Sequence, residues 1–372
     1  MKKIAVTRPL LPPLEDLQPY LEEIWASGWL TNGGPMHARL ERELAAHLGV
    51  EHLSLFSNGT LALILGLRAL GITRGEIVTT PFTFVATTQA ITWAGAEPVF
   101  ADIDPETLNI DPERLAAAIT PRTRAIMPVH VYGRACPVGP IAEIARAHGI
   151  PVIYDAAHAF GIRHQGKSLL RHGHMSMLSF HATKVFSTVE GGAMVCRDAK
   201  TKARLDRLRN FGIVDETTIP ELGLNAKMNE VQAAFGLVAL RHVDAAIARR
   251  RDIDAFYRRL LDDVRGIAIP SRLANDDHNA SYFPILVDDD HPLGRDGLQT
   301  LLHEHDIQAR RYFFPLTSAL SGYCGLPSAD PARLPVATEI ARRVLCLPIH
   351  ADLTDDQVER IADLVAGSAR AA

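Results

Sequence analysis

Three short segments of the chain carry residue types that could do chemistry together. Ser57-Asn58-Gly59-Thr60 precedes an apolar stretch with helical character. A helix start offers unpaired N–H groups and partial positive charge, which suit a phosphate, and Gly59 would let one approach the backbone. Tyr154-Asp155-Ala156-Ala157-His158-Ala159 follows an apolar strand-like run. An Asp there could pair with a protonated pyridine nitrogen, the charge that makes pyridoxal phosphate (PLP) an electron sink, with His158 near the ring or its phenolic oxygen. Ser179-Phe180-His181-Ala182-Thr183-Lys184 ends in a lysine flanked by small and apolar residues, a setting in which a Schiff-base amine could have a lowered pKa. Taken singly, each segment reads more readily as something plainer. The first could be a helix cap, the second a turn-capping Asp with a buried histidine, and the third a surface lysine. Their order along the chain, phosphate seat, strand-end Asp and then Lys, gives them joint meaning.

The elements that must position these segments follow from periodicity. Helical stretches are expected at 61–70, 83–94 and 138–148, the last ended by Gly149. Strands are expected at 76–80, 97–101, 124–130 and 151–154, and two more at 175–180 and 192–196 enclose the lysine-bearing turn. Strand, helix, strand at this spacing implies βαβ units, hence an α/β fold with a mostly parallel sheet and helices on both faces. Its ligands belong beyond the carboxyl ends of the strands, where the three segments fall. A long helical stretch at 230–251 could link two domains. The expected division is 1–245 for a large cofactor-binding domain and 246–372 for a smaller C-terminal α/β domain, with a strand at 282–287 and helices at 298–305 and 355–366.

Composition excludes several classes. The chain has 372 residues, with 39 Lys and Arg against 43 Asp and Glu, a formal net charge of −4. The densest basic run, Arg249-Arg250-Arg251, reads as a solvated helix face, and no nucleic-acid partner is expected. The four cysteines lack CxxC spacing, which argues against a zinc ribbon and for a reducing compartment. No uninterrupted apolar run reaches the roughly 20 residues that span a bilayer, so no membrane partner and a cytoplasmic location are expected. His164, His172, His174 and His181 lack the helical spacing with an acid that a hydrolytic metal site uses, so no metal is expected.

The three segments lie within a longer set of motifs that resembles the DegT/DnrJ/StrS family of sugar aminotransferases nearly end to end. The marks are SGWLTNGGPMHARLERELAAHLGV from Ser27, SNGTLAL from Ser57, TTPFTFVAT from Thr79 and EPVFADIDPETLNID from Glu97. They continue with PVHVYG from Pro128, YDAAHAFG from Tyr154, SFHATKVFSTVEGG from Ser179 and LGLNAKMNEVQAA from Leu222. The resemblance implies the PLP-dependent transferase fold of the aspartate-aminotransferase type, with PLP as cofactor. Lys184 would carry it and shuttle the proton. Asp155 would meet the pyridine nitrogen, Gly59, Thr60 and Ser179 the phosphate, and Phe84 the ring face; without the resemblance Phe84 reads as a core residue of an amphipathic helix. His158 stands where many relatives have Gln.

Asn225 matches a residue that relatives lend to a neighbouring subunit's cofactor, which implies a homodimer with shared active sites. Ala226-Lys227 departs from the usual aromatic-Arg pair. Trp29, Thr31, Lys227, Arg311 and Tyr312 fall where the family handles the nucleotide-sugar. The implied reaction moves an amino group from L-glutamate to a keto-sugar. His181 and Glu190-Gly191-Gly192, with the N-terminal stretch, resemble members that aminate C-4 of dTDP-4-keto-6-deoxyglucose to give dTDP-4-amino-4,6-dideoxyglucose. A UDP-keto-sugar, a 3-keto-sugar or an aminocyclitol ketone is the alternative substrate. A non-catalytic PLP-binding regulator is disfavoured, because Lys184 and Asp155 are both present and no helix-turn-helix segment is appended.

Overall fold

The computed structural model describes residues 3–272 and 277–370; the remaining residues of the two expected domains lie outside that description. Two helices lead the chain, α1 (Leu14–Ser27) and α2 (Pro35–Leu48), before β1 (His52–Phe56) and α3 (Gly59–Ala69). Alternation then sets in: β2 (Glu76–Thr79), α4 (Val85–Trp93), β3 (Glu97–Phe100), α5 (Pro112–Ala118), β4 (Thr123–Met127), α6 (Val138–His148) and β5 (Ile153–Asp155). A small hairpin, β6 (Arg163–His164) and β7 (Lys167–Ser168), precedes β8 (Met175–Ser179) and β9 (Gly192–Cys196). After α7 (Ala199–Leu208) comes α8 (Glu230–Leu261), 32 residues long. The remainder is β10 (Ile267–Ala268), β11 (Phe283–Val287), α9 (Gly294–Glu304), α10 (Pro335–Arg343), β12 (Val344–Leu347) and α11 (Asp355–Arg370).

Strands β1 to β5, β8 and β9 form two halves of one large sheet. β2 pairs in parallel with β3 and β4, and β5 in parallel with β8. Parallel bridges Ile126–Val152 and Val129–Asp155 join the halves. Only β9, antiparallel to both β1 and β8, runs the other way. No helix forms in residues 180–191, and β9 returns antiparallel beside β8 with Lys184 in the loop between them.

The expected elements are present, with shifted ends. α6 does end at Gly149, whose φ of 63° is the left-handed cap that glycine tolerates best. α4 begins at Val85, so Thr83 and Phe84 precede the helix and Phe84 is its N-cap, outside the amphipathic body.

The α8 helix opens with a capping box, in which Asn229 and Gln232 satisfy each other's backbone N–H groups. It runs unbroken through position 245. Its first half packs Ala233, Leu237, Val243 and Ile247 into the core under the large sheet. Its second half packs Ile253, Tyr257 and Leu261 into a separate core around β11 and β12. Ile4 belongs to that second core and bridges to Ile307, so the chain's N-terminal segment sits with the C-terminal elements.

The reading of Arg249-Arg250-Arg251 as one solvated face needs correction. Arg250 is 3% exposed and donates to the Ile349 carbonyl at 2.9 Å, because successive helix residues point about 100° apart. Burial lowers its guanidinium to about 10.

Candidate active site

The three segments singled out in the sequence converge on one cleft of about 260 Å³. Its first wall is the start of α3. The Asn58 side chain accepts the Leu61 N–H at 2.9 Å, which leaves the first-turn amides of Gly59 and Thr60 without intrahelical partners. The helix start lies close against β8: a Cβ on Gly59 would lie 2.8 Å from Met177 Sδ and 3.4 Å from Ser179 Cβ. The same close approach brings Ser179, at the end of β8, beside the helix start.

Asp155 ends β5 at the bottom of the cleft. Thr87 Oγ1 donates to its Oδ2 at 2.7 Å and the Ala157 N–H to its Oδ1 at 3.0 Å. Thr83 and Thr87 are linked hydroxyl to hydroxyl at 2.8 Å, so the start of α4 buttresses the carboxylate. Burial nevertheless pushes the Asp155 carboxyl above its ordinary range, against those two hydrogen bonds and the charge of Lys184. A protonated ring nitrogen placed against it would supply the positive partner that a buried carboxylate calls for.

Lys184 is presented by an anchored loop. Its N–H donates to the His181 carbonyl at 2.9 Å. The following Val185 and Phe186 are buried, with Phe186 stacked on Phe160 at 4.7 Å and edge-on to Phe180 at 4.9 Å. Burial lowers the Lys184 amine to about 8, although Asp155 pulls the other way. Roughly one amine in ten is then free one pH unit below that value, far more than for an ordinary lysine. This is the state a carbonyl-bonding nucleophile needs.

His158 lines the same cleft, buried and held neutral by desolvation and by Lys184. The Tyr132 N–H donates to its Nδ1 at 3.2 Å. Phe84 also lines the cleft and is 56% exposed, whereas Phe82 two residues earlier is fully buried. An apolar ring face is therefore presented to the opening. His181 and Glu190 stand 3.6 Å apart at the cleft margin, and His181 Nδ1 meets Thr183 Oγ1 at 2.8 Å.

The residues that resemblance associates with the sugar nucleotide divide. Tyr312 lines the cleft, and Arg311 lines an adjoining cavity of about 290 Å³ that shares Thr83, Phe84, Tyr312 and Phe313 with it. Arg311 also pairs with Asp296 at 3.2 Å. Trp29 and Thr31 are exposed and lie outside this chain's cleft lining. So do Asn225 and Lys227, whose side chains bond to each other at 2.8 Å. Thr87, Tyr282 and Phe313 were missed by sequence reasoning. Thr87 could have been found from its i+4 spacing to Thr83; nothing local marks Tyr282, which reaches the cleft from beyond α8.

A helix start with unpartnered first-turn amides, a buried carboxylate and an amine of lowered pKa lining one cleft fit PLP by the chemistry of their donor sets. The wider comparison agrees. A family model described as the DegT/DnrJ/EryC1/StrS aminotransferase family matches residues 14–366. The chain belongs to that family.

Among curated relatives, it is 52% identical over 364 residues to dTDP-4-amino-4,6-dideoxy-D-glucose transaminase of Shigella dysenteriae, covering 98% of each chain. The Escherichia coli enzyme of the same name is 49% identical over 367 residues, 98% of this chain and 99% of that one. Among solved structures, DesI in the presence of its TDP-sugar product superposes with a TM-score of 0.95 at 37% identity, covering 100% of this chain and 94% of that one. Membership of the family makes the chain an aminotransferase.

Proposed function

We propose that the chain moves an amino group from L-glutamate to C-4 of dTDP-4-keto-6-deoxy-D-glucose, giving dTDP-4-amino-4,6-dideoxy-D-glucose. Lys184, an amine of lowered pKa enclosed in one cleft with the buried Asp155, carries this reading. Bound PLP would supply the electron sink that stabilises negative charge on the carbon losing its proton. Gly59, Thr60 and Ser179 would hold its phosphate, Asp155 its ring nitrogen and Phe84 its ring face. The Lys184 amine holds the proton taken from the donor's α-carbon and returns one to C-4 of the sugar. Such positioned proton transfer is worth roughly 10²–10⁴-fold. The named activity of the relatives at 52% and 49% identity supports the choice of sugar.

The active assembly in this proposal is a homodimer working in the cytoplasm. The segment from Phe211 to Leu224 exposes Phe211, Ile213, Val214, Ile219, Leu222 and Leu224, a density of apolar side chains that a second copy would cover. Asn225 follows directly and would reach the partner's cofactor phosphate. The division into two domains is placed inside α8 near residue 245, supported by the two cores into which its halves pack.

The test is turnover of the purified protein with glutamate and a panel of ketones, reading 2-oxoglutarate and the amino sugar. Amination of the dTDP-4-keto sugar supports the reading. Amination confined to a UDP-keto-sugar, a 3-keto-sugar or a cyclitol ketone would replace the substrate and keep the chemistry. A protein that binds PLP and turns over none of these would sink it.

A further inference from the structure

His158 has its tautomer fixed by the backbone. Its Nδ1 accepts the Tyr132 N–H, so that nitrogen carries no proton. The ring is neutral, because burial and Lys184 hold it well below the usual histidine value. Its single proton is therefore on Nε2. Nε2 lies 3.4 Å from the Tyr282 hydroxyl. The ring has little freedom to turn away: it is stacked on Phe313 at 6.1 Å, and its own carbonyl accepts from Asn279 Nδ2 at 2.9 Å and Ser281 Oγ at 3.0 Å.

The polarity of the chain then runs one way. The Tyr132 amide donates to His158, His158 donates to Tyr282, and the Tyr282 proton is left to be donated elsewhere. Among the described residues that hydroxyl has no acceptor. Tyr282 lines the cleft, with Lys184 Nζ 6.0 Å from its ring centre. The groups facing it are Asp155 from β5, Lys184 from the β8–β9 loop, and Arg250 from α8; Tyr132, Tyr312 and Cys346 flank it as neutral groups. Asp155 has one oxygen engaged by Thr87 and the other by Ala157. Burial pushes the Tyr282 phenol up, so it stays a donor across the working range.

We propose that Tyr282 donates its hydroxyl proton to the anionic ring oxygen of bound PLP, the oxygen next to the carbon that Lys184 bonds. This rests on the reading that the cleft holds PLP. A donor on that oxygen stabilises its negative charge and so weakens its hold on a proton shared with the lysine nitrogen. Removing the donor strengthens that hold, and the pH midpoint at which the bound cofactor changes colour must rise.

The experiment is a spectrophotometric pH titration of the PLP-loaded protein and of Tyr282→Phe, with cofactor affinity and melting temperature measured alongside. The Phe variant is expected to titrate higher by about one pH unit, the scale of a lost charge-assisted hydrogen bond. Replacing Tyr282 with 2,3-difluorotyrosine, a stronger donor, is expected to lower the midpoint, and decides the matter if the Phe variant does not fold. An unchanged midpoint in a variant that binds PLP overturns the proposal, whatever happens to stability. A parent protein that takes up PLP without any visible band would instead remove the reading of the cleft itself.

Discussion

On the floor of the cleft, Asp155 is 5% exposed and held by Thr87 and Ala157, and Lys184 hangs from a loop pinned by Val185 and Phe186. At the rim, Phe84 is 56% exposed, and farther out, beyond this chain's own cleft lining, Trp29, Leu224 and Asn225 are exposed as well. The floor makes pKa values and the rim makes contacts. Burial is what raises Asp155 and lowers Lys184, so the floor's chemistry depends on the surrounding core. The rim's residues depend on what is brought to them, substrate or a second copy.

The comparison can be broken most directly at Lys184. Lys184→Ala is expected to lower kcat by at least about 10²–10⁴-fold, and borohydride treatment should no longer fix cofactor to the chain. Asp155→Asn would leave a buried positive ring nitrogen unpaired, a loss on the order of 3 kcal/mol. PLP affinity measured by dialysis should fall about 100-fold, with thermal stability much less affected. If both variants behave like rim variants, the floor is not where the chemistry resides.

Two glycines test how tightly the floor is built. A Cβ on Gly192 would lie 2.7 Å from the Asn58 backbone carbon, whereas one on Gly59 first meets the flexible Met177 side chain. Gly192→Ala should therefore destabilise more, by about 1–3 kcal/mol of overpacking. Gly59→Ala should be felt mainly in cofactor affinity. Denaturant titration of both apoproteins separates the two.

The Lys184 value also predicts a pH dependence. Its folded pKa of about 8 lies below the ordinary lysine value of 10.5. Between these values the unfolded chain binds more protons, so apoprotein stability gains from this group as pH rises from 8 to 10.5, and its full penalty is present below 8. The rate of PLP capture should climb tenfold per pH unit up to about 8 and then level off, as stopped-flow absorbance would show.

The smallest effects belong to the rim. Trp29→Ala and Arg311→Ala should raise KM for the nucleotide sugar with kcat nearly unchanged, and shift stability by no more than about 0.5 kcal/mol. A kcat loss as large as that of Lys184→Ala would mean that the rim completes a neighbouring subunit's floor.

The floor was legible in the sequence because each of its parts is a local motif. Ser57 to Thr60, Tyr154 to Ala159 and Ser179 to Lys184 each announce a strand end or helix start, and the parallel sheet assembles them without further instruction. Tyr282 and Phe313 were illegible for the opposite reason. They arrive from chain segments more than 120 residues beyond His158, and their meaning lies in packing against it. Arg250 shows the same limit at the scale of one helix turn: three consecutive arginines look alike until the core claims the middle one. Phe84 differed by a single boundary, since α4 starting at Val85 frees the ring from the helix body.

The unbroken α8 has a mechanical consequence. Its 32 residues make a rod about 48 Å long, clamped at one end by the core beneath the large sheet and at the other by the core around β11 and β12. A rod clamped at both ends resists bending, so any motion between the two cores would have to bend an unbroken helix. Tyr282, the residue before Phe283 of that second core, is thereby coupled through the rod to the sheet that presents Lys184.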